Sequence, residues 1–486
     1  MLGGKRVLIK GCFSRWLDLN FKHLPIFQKL LLLSPLFLFA SYHPAVQLTV
    51  GSSSIRITPA LAYVCLLAIL SVPIVIRKFS KISKSHKATF YILVTSLIYA
   101  TLSLSWTTDI VRGLFTIFLY GALTLIFLGA LSTGINRGFI KGLVTVLLAT
   151  SLAWCLFALS QLIIGLFYPD VLPQFCNSCS ASAFGFVRPA GLMFEPQIFG
   201  NILLAPILVV AYYILTLSDD KTKVLHRVTL FILLATLILT LSRGAIYSAI
   251  LGFAVLFIVV PKTRRILEVA MIAVIGAVFS VLLQGVAAQV NPHISTSFYR
   301  AVNSSIEQLS LGKVSLPDVE NNEVVDRTGD APVQEHTDSK EAPIYDGYAE
   351  ISTNYRLDMT SAAIDNWSQD IRRFLFGTGA GSGAQAISRQ YDTVQNQHVE
   401  ILLNYGVVGY GLFAALIIRL FVLTDKHRFL WSIIVAYLFQ WLFFSGLPHG
   451  SFHVYFVLAF CYLYCLPSSL PNSVEKKSQQ FKQEPL

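Results

Sequence analysis

His398 stands in Gln395-Asn396-Gln397-His398-Val399-Glu400-Ile401-Leu402-Leu403, where a polar stretch gives way to an apolar run. An imidazole changes charge near neutral pH, so it can take a proton from a hydroxyl as a general base. A hydrated histidine opening a helix would read the same way. Two arginines at comparable borders offer planar, five-donor guanidinium groups suited to phosphate oxygens. One is Arg188, in Phe186-Val187-Arg188-Pro189-Ala190-Gly191-Leu192; the other is Arg356, which follows a long acidic stretch. Their plainer readings are a side chain snorkelling to the membrane surface and a solvated helix face paired with Asp358. Arg243, in Leu241-Ser242-Arg243-Gly244, could equally anchor a turn. Glu195 precedes Pro196 and could orient an arginine, act as a base or cap the next helix.

The run Gly377-Thr378-Gly379-Ala380-Gly381-Ser382-Gly383 superficially suggests a phosphate cradle. It lacks the following Lys-Ser/Thr and a preceding strand, so a nucleotide loop is not implied. A backbone nest for a lipid diphosphate and a plain flexible turn remain, the turn being the simpler reading. Cys176 and Cys179 are the one close cysteine pair, open to a disulfide or to two free thiols. Metal would need two further ligands that the neighbouring sequence does not supply.

These residues sit in a chain of 486 residues that is 55% hydrophobic and 13% charged, with a mean hydropathy of +0.64. That composition marks an all-α polytopic membrane protein. Crossing a bilayer takes roughly 20 apolar residues. About twelve segments qualify: 25–42, 58–76, 88–105, 111–131, 142–167, 198–217, 228–242, 245–261, 266–288, 399–422, 429–447 and 453–467. Residues 228–261 are too long for one crossing and hold Arg243 at their middle. Basic clusters flank both ends (Lys221, Lys223, Arg227; Lys262, Arg264, Arg265), which predicts a hairpin with Arg243 at its outer tip.

The positive-inside rule then places both termini in the cytoplasm. The first 24 residues are basic and show no cleavage site for a removable signal. Short outer connections keep only Arg56, Arg112, Arg188 and Arg243, so each is a candidate for a specific task. The net charge of +11 is unevenly spread, because residues 289–398 hold 15 acidic and 8 basic residues. The basic remainder suits anionic membrane lipids, and nothing suggests nucleic-acid binding.

The predicted organisation is a membrane domain, 1–288, with nine spans, a large periplasmic loop, 289–398, three last spans in 399–467, and a cytoplasmic tail, 468–486. Within the loop, 311–350 reads as disordered. Residues 357–375 read as an amphipathic helix, with Met359, Ala363, Trp367 and Ile371 on one face.

Together these positions resemble the O-antigen ligase and polymerase family of bacterial inner membranes. Arg188-Pro189-Ala190-Gly191-Leu192 is similar to the family's Arg-x3-Leu element, and His398 through Gly409 to its His-x10-Gly element. Arg356 fits the arginine that precedes the histidine, and Ser242-Arg243-Gly244 a frequent Ser-Arg-Gly turn. Glu195-Pro196-Gln197 departs from the Pro-Asn of many ligases and looks like the Glu-Pro of polymerases. Val399 departs from the usual Asn or Ser.

The resemblance implies a metal-independent, inverting glycosyltransferase of the inner membrane, needing no cofactor. Its donor would be an undecaprenyl-diphosphate-linked glycan. Arg188 and Arg356 would stabilise the leaving diphosphate, His398 would be the catalytic base, and Glu195, Arg243 and Gly409 would support them. The acceptor would be another lipid-linked repeat (an O-antigen or exopolysaccharide polymerase), lipid A-core (a ligase) or a protein hydroxyl. Membrane lipids and a chain-length regulator are further expected partners. A lipid or polysaccharide transporter or flippase is the rival from another class, although the chain lacks the paired halves and mid-membrane acids typical of transporters.

Overall fold

The computed structural model describes residues 24–39, 45–50, 53–78, 84–133, 135–167, 188–193, 195–217, 220–290, 348–383, 396–443 and 451–465. The expectations for Cys176 and Cys179, for 311–347 and for the C-terminal tail lie outside these residues. The chain is nearly all helical. One exception to the all-α expectation is a ribbon of two antiparallel strands, β1 (Val46–Val50) and β2 (Ser53–Ile57), with Val46 opposite Ile57 and Val50 opposite Ser53.

Each expected apolar segment carries a helix. They are α1 (Ile26–Leu38), α2 (Pro59–Lys78), α3 (Lys84–Leu102), α4 (Ile110–Ser132), α5 (Arg137–Phe167), α6 (Pro196–Thr216), α7 (Asp220–Leu239), α8 (Arg243–Val259) and α9 (Thr263–Val290). From residue 348 onward come α10 (Tyr348–Ser368), α11 (Ile371–Phe376), α12 (Gln397–Thr424), α13 (Phe429–Gln440) and α14 (Ser451–Cys465). Among the described residues, seven helices are long and apolar enough to cross a membrane.

The core is organised around α6, which is apolar on every side and buried along nearly its whole length. An apolar helix suits lipid as well as a protein core, so it is this burial that makes α6 central. It packs against α5, α7, α8, α9 and α13. Close approach depends on small residues: a Cβ on Gly252 would lie 2.8 Å from Leu208 of α6 and 3.1 Å from Ala436 of α13. The hairpin expected around Arg243 is present as α7 and α8, joined by a turn at 240–242. At the opposite end of that hairpin, Arg227 pairs with Glu268 of α9 at 2.5 Å. Glu268 is thereby held in a structural ion pair.

Three elements differ from the sequence reading, each for a local reason. The amphipathic helix expected over 357–375 begins earlier, at Tyr348, and ends at Ser368. Asp370 then caps the separate helix α11 by accepting from the Arg373 amide, and Ile371 turns out to solvent. Met359 and Ala363 are buried as expected, and Ala363 packs with Val399 and Leu403 of α12. So α10 caps the bundle, and residues 348–350 of the expected disordered stretch are helical.

The second difference is α13. With twelve residues it reaches only about 18 Å at 1.5 Å per residue, well short of a ~30 Å hydrocarbon core. Its C-terminal turn, 438–443, therefore ends inside the bundle.

The third is α12, expected as one span over 399–422. It is broken at Gly406, whose φ is +63°. His398 and Tyr410 hydrogen-bond across the break at 3.2 Å, although twelve residues of straight helix would separate them by about 18 Å. The piece 397–405 is thus folded back on 407–424.

The glycine run is what fills this break, so it is a built loop rather than a flexible turn. The amides of Thr378 and Gly379 donate to the carbonyls of Leu403 (2.7 Å) and Asn404 (3.0 Å), which the break deprives of helical partners. Gly383 N donates to Asn404 Oδ1 at 2.9 Å, and Tyr99 Oη to Tyr405 O at 2.8 Å. On its other side, Ser382 Oγ accepts from Thr108 N at 2.9 Å and pairs with Thr107 Oγ1 at 2.7 Å. Interior backbone groups need partners, and the loop supplies them.

Candidate functional site

The site forms where the N-termini of α6, α8 and α12 meet the end of α13. Arg188 follows α5 and precedes α6. Its Nε donates to Thr240 O at 2.8 Å and its Nη2 to Leu241 O at 3.4 Å. Those carbonyls end α7, so the guanidinium closes the hairpin tip that sequence alone left as a turn. Leu241 has φ +49°, a left-handed conformation costly for a bulky residue. Arg188 thereby holds that turn in place.

Arg243 opens α8 immediately after this turn, and its charge is close enough to Arg356 for the two to repel. Arg356, in α10, donates from Nη2 to Gln197 Oε1 at 3.0 Å. Gln197 lies in the first turn of α6, and its Nε2 donates to Phe443 O at 2.8 Å. Arginines far apart in sequence are thus gathered around the positive end of α6, where helix dipoles also favour anions. Glu195 occupies the N-cap of α6, ahead of Pro196, but its side chain makes no capping hydrogen bond.

His398 lies on the other side of the 438–443 turn. Its Nε2 is 2.9 Å from Leu438 O and its Nδ1 3.2 Å from Tyr410 Oη. A carbonyl only accepts, so Nε2 carries the proton and Nδ1 presents its lone pair. Asn396 caps α12 by accepting from the amides of His398 and Val399, both at 3.1 Å. The adjacent Gln397 N donates to Trp441 O at 2.8 Å. The rings of Phe413 and Trp441, each centred 6.3 Å away, enclose the imidazole.

The described contacts therefore join His398 and the arginines through one short turn: Leu438 and Trp441 hold His398 and Gln397, and Phe443 holds Gln197. Gly409, the end of the His-x10-Gly spacing, lies where the folded-back piece presses on α12. A Cβ there would fall 2.2 Å from Tyr405 Cβ.

Several buried polar atoms around the turn have no hydrogen-bond partner among the described residues. They are both side-chain atoms of Asn201, Ser242 Oγ, Gln440 Nε2 and Trp441 Nε1. Such groups are costly unless a polar guest or water satisfies them. A largely apolar cavity of about 120 Å³ opens beside Gln397, Tyr99, Gly409 and Phe413. Sequence reasoning missed Tyr410 and the part Gln197 plays. It also missed Glu400, which is buried and feels the charge of Arg112. The lone outer position of Arg112 was the available signal for that pair; Tyr410 had none, because only the break in α12 brings it to His398.

The O-antigen ligase family model matches residues 228–414. That stretch runs from α7 into α12 and includes Arg243, Arg356, His398 and Gly409, while Arg188 precedes it. No curated protein matches the chain.

Proposed function

Through residues 228–414 the chain belongs to the O-antigen ligase-related family, and on that premise we propose that it polymerises undecaprenyl-diphosphate-linked repeat units at the outer face of the bacterial inner membrane. The observation that carries this reading is the gathering of Arg188, Arg243 and Arg356 at the start of α6, one turn of chain away from His398. Breaking an anomeric bond to diphosphate concentrates negative charge on the leaving group. Fixed guanidinium groups in a poorly hydrated site stabilise that charge without reorganising. The apolar cavity beside Gln397 offers a surface to the polyprenyl tail, and the buried polar atoms near the arginines offer partners to sugar hydroxyls.

His398 serves as the base. A single displacement at the anomeric carbon inverts configuration and needs no covalent nucleophile, metal or nucleotide, since the diphosphate bond supplies the driving force. Polymerase is favoured over ligase by Glu195-Pro196-Gln197, whose glutamine holds Arg356. Both termini lie in the cytoplasm in this reading, and a chain-length regulator is an expected partner.

Glycan analysis of a deletion strain tests the assignment. A polymerase leaves a single repeat attached to its final carrier when it is lost. A ligase leaves none attached but retains long lipid-linked chains, and that pattern would overturn the polymerase reading. His398→Ala is expected to reproduce the deletion pattern while the protein still inserts; full-length polymer from that variant would overturn the base assignment.

A further inference from the structure

The surroundings of His398 restrict how a proton can reach it. Nε2 is committed to Leu438 O, a carbonyl at the end of α13 that helical bonding leaves open. Phe413 and Trp441 flank the ring. Among the described residues, the hydrogen-bond partner of Nδ1 is Tyr410 Oη. Tyr410 is half-buried, packs its ring 6.0 Å from Phe413, and stands on the opposite side of the α12 break.

We propose that Tyr410 is a catalytic proton relay between the acceptor hydroxyl and Nδ1 of His398. This deepens the proposed function and rests on His398 being the base. A phenol suits the task because its oxygen accepts one hydrogen bond while its proton is donated in another. As the acceptor oxygen attacks, its proton passes to Tyr410 Oη and the Tyr410 proton passes to Nδ1. The acceptor's electron pair forms the new glycosidic bond at the anomeric carbon. The bond from that carbon to the diphosphate oxygen breaks, and its pair leaves with the diphosphate. Tyr410 ends as a phenol and His398 as an imidazolium, with Nε2–H still on Leu438 O. The extra proton returns through Tyr410 to the departing diphosphate or to water, which restores both residues.

The Leu438 carbonyl has a part in this arrangement. It fixes the tautomer that leaves Nδ1 able to accept, and it stabilises the imidazolium by keeping its second N–H bonded. The break at Gly406 is equally required, since no straight helix brings positions 398 and 410 together.

The test uses the full-length protein in nanodiscs with a synthetic polyprenyl-diphosphate-linked repeat, comparing Tyr410→Phe, His398→Ala and the double variant. Tyr410→Phe keeps the ring contacts and removes only the hydroxyl. The relay predicts that kcat falls by roughly 10²–10⁴-fold, the usual contribution of general acid–base catalysis, with KM for the donor unchanged. The double variant should be no slower than His398→Ala, because both residues serve one step. In single turnovers of the unmodified protein, rates across mixtures of light and heavy water should curve, as two protons move together. A Tyr410→Phe rate within twofold of the unmodified protein while His398→Ala is inactive would overturn the relay and leave the base reading standing. So would a linear response to heavy water, which stands whether or not the variants fold. Activity in His398→Ala would overturn the base reading and the relay with it.

Discussion

Gly406→Ala tests how far the site depends on one broken helix. Gly406 has φ +63°, and a Cβ built there lies 2.3 Å from both the carbonyl carbon and oxygen of Leu375 and 2.5 Å from Phe376 N. All three are backbone atoms, so no side chain can rotate out of the way. Holding an alanine in the left-handed region costs about 1–2 kcal/mol. Relieving the overlap requires α11 and the glycine loop to retreat from α12. That stretches the bonds from Thr378 N to Leu403 O and from Gly379 N to Asn404 O, each worth about 1 kcal/mol net. The expected loss is therefore roughly 3–4 kcal/mol.

Activity should fall further than stability, because the folded-back piece carries His398 to Tyr410. Thermal unfolding of purified protein in nanodiscs reads the first effect and single-turnover glycan transfer the second. Gly411→Ala is the control: its Cβ meets nothing within 4 Å, and an alanine in a helix interior is worth roughly 0.5–1 kcal/mol over glycine. A Gly406→Ala protein that melts and turns over like the unmodified one would refute the reasoning. Equal damage from Gly411→Ala would refute it too, by showing that the helix tolerates no change anywhere.

Two other substitutions probe the arginine cluster. Arg188→Lys should lower transfer at least tenfold, because one ammonium cannot reach both Thr240 O and Leu241 O as the fork does, and a charged hydrogen bond is worth about 1.5–3 kcal/mol; steady-state transfer assays check this, and unchanged kcat/KM would argue against the fork. Gln197→Leu removes the group that holds Arg356 to α6. It should raise KM for the lipid-linked donor, as read by donor titration, and lower stability by about 1–3 kcal/mol because Phe443 O loses the Gln197 donor; an unchanged KM would mean that Arg356 is placed by other contacts.

Much of this molecule follows from local pattern. Apolar run length places the long apolar helices, and the basic flanks of 228–261 predict a hairpin, because charge is penalised inside the hydrocarbon core and belongs at its borders. Residue type marks His398, Arg188 and Arg356 as candidates for chemistry, since few side chains fork around phosphate or titrate near neutrality. Tertiary structure decided the rest. The glycine run reads as a flexible turn until the Leu403 and Asn404 carbonyls that it caps are present. Arg188 reads as a snorkelling residue until the end of α7 lies beside it. Tyr410 carries no signal of its own, for its place depends on a bend twelve residues long in the making. Sequence periodicity records which face of a straight helix meets its neighbour; where a helix breaks, what its freed backbone groups bind depends on distant chain, and only the folded molecule settles that.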